Sequence, residues 1–247
     1  MTRRMQLLDA LEIGPTWVQR SVVRLEAEKS VPDRLALVSA ETESVASPQA
    51  KDVGIAAMDW QTLQETVSTC TRCPLSLTRN RTVFGVGDTS PEWLFVGEGP
   101  GSNEDRLGEP FVGPAGVLLD NILGAMKLRR GDKAFIANIV KCRPTDAKGK
   151  DRVPTTEEIS ACMPYLERQI ALLKPAIVVA LGKTAATTLA SVDSQTTLAS
   201  LRGKTYTYQE LPVVVTYHPA YLLRVPVDKR KTWDDLCMAM QHRVKPD

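Results

Sequence analysis

Cys70-Thr-Arg-Cys73, followed by Cys142 and Cys162, is the strongest chemical signal in the sequence. A Cys-x-x-Cys pair supplies two adjacent soft ligands, and two more thiols from separate segments can close a four-coordinate metal site. The same spacing also fits a redox pair with two unrelated buried thiols, and it does not choose between zinc and an iron–sulfur cluster. Cys237 falls in an apolar-periodic stretch near the end of the chain and reads as a small buried hydrophobe. His218 precedes Pro219, which biases it toward an extended or turn conformation. An imidazole so placed can donate a hydrogen bond to a developing negative charge, although a lone histidine can equally be structural. His242 lies in a charged tail and reads as surface.

Gly97-Glu98-Gly99-Pro100-Gly101 fits no nucleotide fingerprint, because Ser102 stands where a third glycine would be needed and Pro100 lacks an amide donor. Gly182-Lys183-Thr184 likewise lacks the upstream glycine of a phosphate loop. A glycine-rich turn still brings backbone amides close to a ligand, and Asn103, Glu104 and Asp105 set polar groups beside it. Phe111 is flanked by glycine and proline, a setting for an exposed stacking platform or for burial under its own loop. Lys141, Arg143, Lys148, Lys150 and Arg152 form a basic stretch around Cys142, suited to phosphates or simply to solvent.

These residues need a frame. Four short apolar runs, 93–97, 134–140, 176–181 and 213–217, read as buried strands, with a weaker hairpin arm at 206–208. Helical patterns lie between them at 116–126, 155–173 and 183–190. The second opens on Thr-Thr-Glu-Glu, a capping-box signature. A further helix is expected at 58–68 and another at 233–240. Apolar strands alternating with helices predict an α/β fold with a parallel sheet covered on both faces. Such sheets bind ligands at the carboxyl ends of their strands, where Gly97–Gly101, Asn138, Gly182 and His218 all fall.

The chain has 247 residues, 31 Lys and Arg against 29 Asp and Glu, and no apolar window near the length of a membrane span. Its beginning lacks the uninterrupted apolar core of an export signal, so a cytoplasmic protein is expected. An odd count of five cysteines without an export signal argues against a disulfide framework. Residues 26–57 are rich in Ala, Ser, Glu and Pro without a period. Two parts are therefore expected: an N-terminal extension and linker over 1–60, partly disordered, and a compact domain over 61–247. The near-neutral total argues for contacts through a few basic loops rather than a broad basic face.

Together, GEGPGSNEDRLGEPFVGPAG (97–116), NIVKCRP (138–144), HPAYLLR (218–224) and the four cysteines resemble the family 4 uracil-DNA glycosylases, the iron–sulfur branch of that superfamily. The resemblance covers about residues 65–245. It implies a three-layer α/β/α sandwich with a short central parallel sheet, and a [4Fe-4S] cluster on Cys70, Cys73, Cys142 and Cys162. It also implies a flipped uracil in a pocket. Phe111 would stack on the base, Asn138 would read its Watson–Crick edge, and His218 would stabilise charge on O2, helped by the amides of Gly97, Gly99 and Gly101. Glu98, Glu104 or Asp105 would orient water or stabilise the sugar cation, and Glu104 would also crowd the 5-position of the base. Lys141, Arg143, Tyr221, Leu222, Leu223 and Arg224 would meet the DNA. The Arg-rich, histidine-bearing insertion of covalently trapping relatives is absent, so turnover is expected. The run DAKGKDRV (146–153) would lengthen a DNA-facing loop.

The leading expectation is thus a monomeric, monofunctional glycosylase acting on uracil in single- or double-stranded DNA. A protein partner could bind through residues 1–60. Two alternatives stand beside it: a non-catalytic DNA-binding or polymerase-associated module with the same fold and cluster, and a zinc-stabilised nucleotide-binding domain.

Overall fold

The computed structural model describes residues 54–241. Most of the 1–60 segment and His242 therefore lie outside the described residues. Seven strands form one sheet: β1 (Val86–Gly87), β2 (Trp93–Gly97), β3 (Arg129–Arg130), β4 (Lys133–Asn138), β5 (Ile177–Leu181), β6 (Thr205–Tyr208) and β7 (Leu211–Thr216). Their order is β1-β4-β2-β5-β7-β6, with β3 also paired to β4. The four inner strands are mutually parallel, while β1 and β6 close the two edges antiparallel.

Eight helices accompany the sheet among the described residues: α1 (Trp60–Ser68), α2 (Ser102–Leu107), α3 (Pro114–Ala125), α4 (Thr156–Leu173), α5 (Lys183–Leu189), α6 (Leu198–Leu201), α7 (Pro219–Arg224) and α8 (Lys229–Gln241). The period-two geometry of a strand explains the layering. Leu94 and Val96 of β2, with Val178 and Ala180 of β5, pack into one core with α1, α4 and α5. Trp93 and Phe95, with Ile177 and Val179, pack into a second core with α3 and α8. Every inner strand is thus buried on both faces, as the uninterrupted apolar runs require, and the result is the expected α/β/α sandwich.

The capping box at Thr155 forms as read: its hydroxyl accepts from the Glu158 amide, and the Glu158 carboxylate accepts from the Thr155 amide. Three differences from the expected elements have local causes. Helix α3 starts at Pro114 rather than at 116, since proline is well suited to a first helical position. Helix α8 starts at Lys229 rather than at 233, because its charged first turn hides the apolar period. After the glycine-rich turn, where no helix range is expected, residues 102–107 form the six-residue α2, closed by Gly108 at φ +81°.

Register brings the ends of the strands level. Gly97 pairs with Asn138 and Leu181 with Thr216, so the loops leaving β2, β4, β5 and β7 emerge along one edge.

Candidate functional site

That edge carries a cavity of about 430 Å³, whose walls include Glu98, Glu104, Phe111, Asn138, Gly182 and His218. Gly97 is the floor. A Cβ there would come within 2.5 Å of Asn138 Oδ1 and 2.7 Å of the Phe111 ring, so no larger residue fits. Asn138 is 2% exposed, and its Oδ1 has no hydrogen-bond partner among the described residues. An unpaired buried acceptor costs about 1–3 kcal/mol, which a ligand donor can offset.

Phe111 stands beside this acceptor in a left-handed backbone conformation, φ +55°, which is unusual for an aromatic residue. The loop around it is tied from both sides. Arg130 on β3 donates to the carbonyls of Pro110 at 2.7 Å and Phe111 at 2.9 Å. Glu104 Oε1 accepts from the amides of Val112 at 3.0 Å and Gly113 at 3.2 Å. Gly116 lies so close that any Cβ would collide with the Phe111 carbonyl. The ring then stacks on His218, with centroids 5.4 Å apart and planes inclined by 27°.

His218 is the N-cap of α7, where Pro219 supplies the first helical position. Its Nδ1 accepts from the Ala220 amide at 3.2 Å, so the proton of the neutral ring resides on Nε2. Burial, reinforced by Arg224 and opposed by Glu104, lowers its pKa to about 4. At neutral pH the residue is therefore an uncharged donor. Glu98 lines the same cavity. Burial raises its carboxyl above the ordinary range, while a hydrogen bond from the Thr184 hydroxyl opposes the rise.

The four cysteines of the sequence pattern gather at one place. Burial pushes the Cys142 thiol up to about 12, with Arg79 opposing and Cys162 and Cys73 adding to the rise. Cys162 is raised too, first by burial, and Cys70 and Cys73 both contribute. Arg79 donates to Cys142 Sγ at 3.3 Å, and the Lys141 amide donates to Cys162 Sγ at 3.2 Å. Among the described residues, no group of Cys, His, Asp or Glu stands at the spacing that holds a single metal ion. The donor set remains four free thiols from three segments, two of them buried and already supplied with hydrogen-bond donors, which suits a soft-metal centre. Cys237 sits apart, half-buried on α8.

Several expected site residues lie elsewhere. Asp105 is buried with both oxygens occupied, accepting from the Asn80 amide and side chain and from the Arg81 amide. It braces the 80–81 turn and does not line the cavity. Lys141, expected to meet DNA, is 1% exposed, and its ammonium donates to the Asn138 carbonyl at 2.9 Å. Arg143 is held in its own loop by Asp151 at 2.6 Å and the Gly149 carbonyl at 3.2 Å. Leu222 is fully buried, whereas Leu223 is 44% exposed on the same helix. Tyr221 borders the cavity, but its hydroxyl is bound to Asp228 at 2.6 Å and its ring stacks on Tyr217. Arg224 lines the cavity, joined by Arg152 of the basic stretch and by Lys183 at the start of α5.

Residues 84–237 match the family described as "Uracil DNA glycosylase superfamily". The type-4 uracil-DNA glycosylase of Pyrobaculum aerophilum is 41% identical over 187 residues, covering 73% of this chain and 93% of that protein. That of Thermotoga maritima is 42% identical over 163 residues, covering 66% of this chain and 82% of that protein. That of Sulfurisphaera tokodaii is 41% identical over 170 residues, covering 66% and 76%.

Proposed function

The chain belongs to the uracil-DNA glycosylase superfamily, in its type-4 group, and on that premise we propose that it excises uracil from DNA by hydrolysing the N-glycosidic bond. The observation that carries this reading is the unpartnered Oδ1 of Asn138, buried at the back of the cavity beside Phe111 and His218. Uracil presents an N3–H donor to such an acceptor, whereas cytosine presents a bare N3. Asn138 Nδ2 is then available for the O4 of uracil, and Phe111 covers the face of the base. Glu104, at the same wall, crowds the 5-position.

As the C1′–N1 bond breaks, its electron pair leaves with the base and charge builds on O2. A neutral His218 donating from Nε2 stabilises that charge without competing for a proton, and the amides of Gly97, Gly99 and Gly101 add to the field. Glu98, held by Thr184, orients the water whose oxygen bonds to C1′ and accepts the proton that water releases. Arg224 in the cavity wall and Leu223, exposed on the same helix, engage the DNA, with Leu223 filling the space the base vacates.

A [4Fe-4S] cluster on Cys70, Cys73, Cys142 and Cys162 would tie three chain segments together and would transfer no electron during hydrolysis. Residues 61–247 would thus act as the glycosylase domain, with residues 1–60 as an extension able to hold a protein partner. The domain would work as a monomer in the cytoplasm.

The deciding experiment is a glycosylase assay on oligonucleotides carrying uracil, hypoxanthine or thymine. Release of free uracil, with strand breaks only after alkali, supports the proposal. Tight uracil-selective binding without product would favour a non-catalytic module.

A further inference from the structure

We infer that Arg130 is a positioning residue for base recognition, acting through the backbone of Phe111. The inference rests on the reading that Phe111 stacks on the excised base. Arg130 does not line the cavity. Its guanidinium nevertheless makes two hydrogen bonds to consecutive carbonyls, those of Pro110 and Phe111. The same group is held by Asp120 at 3.0 Å and by Glu109 at 3.5 Å, so two carboxylates aim a fixed fork at the loop.

The loop needs this. Phe111, at φ +55°, occupies the left-handed region that a bulky L-residue avoids. Such a conformation persists only where the surroundings over-determine it. Here Arg130 captures the carbonyls of residues 110 and 111, and Glu104 the amides of residues 112 and 113. Removal of the guanidinium frees the carbonyls of Phe111, whose ring must face the base, and of Pro110 before it. Relaxation toward an ordinary φ would then swing the ring away from its stack on His218. Lysine cannot substitute fully, because a point donor does not span two carbonyls as the planar guanidinium does.

The test compares Arg130→Gln, Arg130→Lys, Phe111→Ala and the double variant Arg130→Gln/Phe111→Ala in the full, metal-loaded protein. It follows kcat and KM on a uracil-containing duplex, with thermal denaturation alongside. Arg130→Gln is expected to lose roughly ten- to a hundredfold in kcat/KM, the scale of a misplaced binding group. Arg130→Lys, which keeps the pairs with Asp120 and Glu109 and so the fold, should recover part of that loss. In the Phe111→Ala background the Arg130 change should cost little more, since the two act as one unit. Wild-type kcat/KM in Arg130→Gln, or full additivity in the double variant, overturns the inference while leaving the proposed activity standing. Full activity in Phe111→Ala overturns the stacking role and this inference with it.

Discussion

The ammonium of Lys141 donates to the main-chain carbonyl of Asn138 at 2.9 Å, and the Lys141 amide donates to the sulfur of Cys162. One residue thus joins the Asn138 end of β4 to the thiol group. Lys141→Met should leave the Asn138 carbonyl unpaired in a buried setting, costing about 1–3 kcal/mol of stability by denaturant unfolding. It should also lower kcat/KM on uracil DNA. The salt dependence of DNA affinity should not change, because Lys141 reaches no phosphate. A shallower salt slope in the variant would return the residue to the DNA interface.

Asn138→Ala and His218→Ala should each reduce kcat/KM on the order of a hundredfold or more, with metal content and fold retained. Near wild-type turnover in both would sink the site assignment.

The pH profile should separate the imidazole from the carboxylate. His218 is neutral down to about 4, so no limb at its ordinary value near 6.5 is expected in single-turnover rates. Between those values the unfolded chain holds the proton that the folded chain refuses, so this residue's contribution to stability falls as pH drops through that window. Glu98 must be ionised to orient water, and burial places its acid limb above the ordinary carboxylate range. Thr184→Val removes the bond that favours the ionised form and should move the limb to higher pH. An unmoved limb would exclude Glu98 as the titrating group.

Anaerobically purified protein should contain iron and acid-labile sulfide with visible absorption, and Cys142→Ser should lose both. Stoichiometric zinc in the native protein would contradict the cluster. Arg79→Leu should keep iron but make it easier to remove with a chelator, because a donor to a ligand sulfur is lost.

Adjacent leucines on α7 should behave oppositely. Leu222→Ala opens a cavity in the core and should cost about 2–5 kcal/mol in thermal or denaturant unfolding. Leu223→Ala should leave stability alone and slow excision from duplex more than from single-stranded DNA. Equal effects on both substrates would remove its role in occupying the vacated space.

Much of this organisation is legible in the sequence. Apolar runs without alternation announce strands buried on both faces, and parallel strands carry their terminal loops to one edge, so Gly97, Asn138 and His218 meet without any knowledge of distance. What stays hidden depends on contacts between residues remote in sequence. Lys141 and Arg143 read as a basic patch because charged residues are usually solvated, and only the packed loop reveals the carbonyls and carboxylate that hold them. Asp105 and Glu104 are neighbours with the same chemistry, yet the helical turn of α2 sends one to the Asn80 turn and the other to the cavity wall. Arg130 has no local signal at all: its partners lie 19 and 20 residues upstream.

Strand order also has a bearing on synthesis. All four thiols and Asn138 precede β5, whereas His218 follows β7, which can dock beside β5 only after residues 182–216 have also emerged. A polypeptide halted before β7 carries the whole thiol set and the Asn138 strand, but not the imidazole. The side chains gathered at the cavity are therefore complete only once the last parallel strand and the residue pair that follows it have been made.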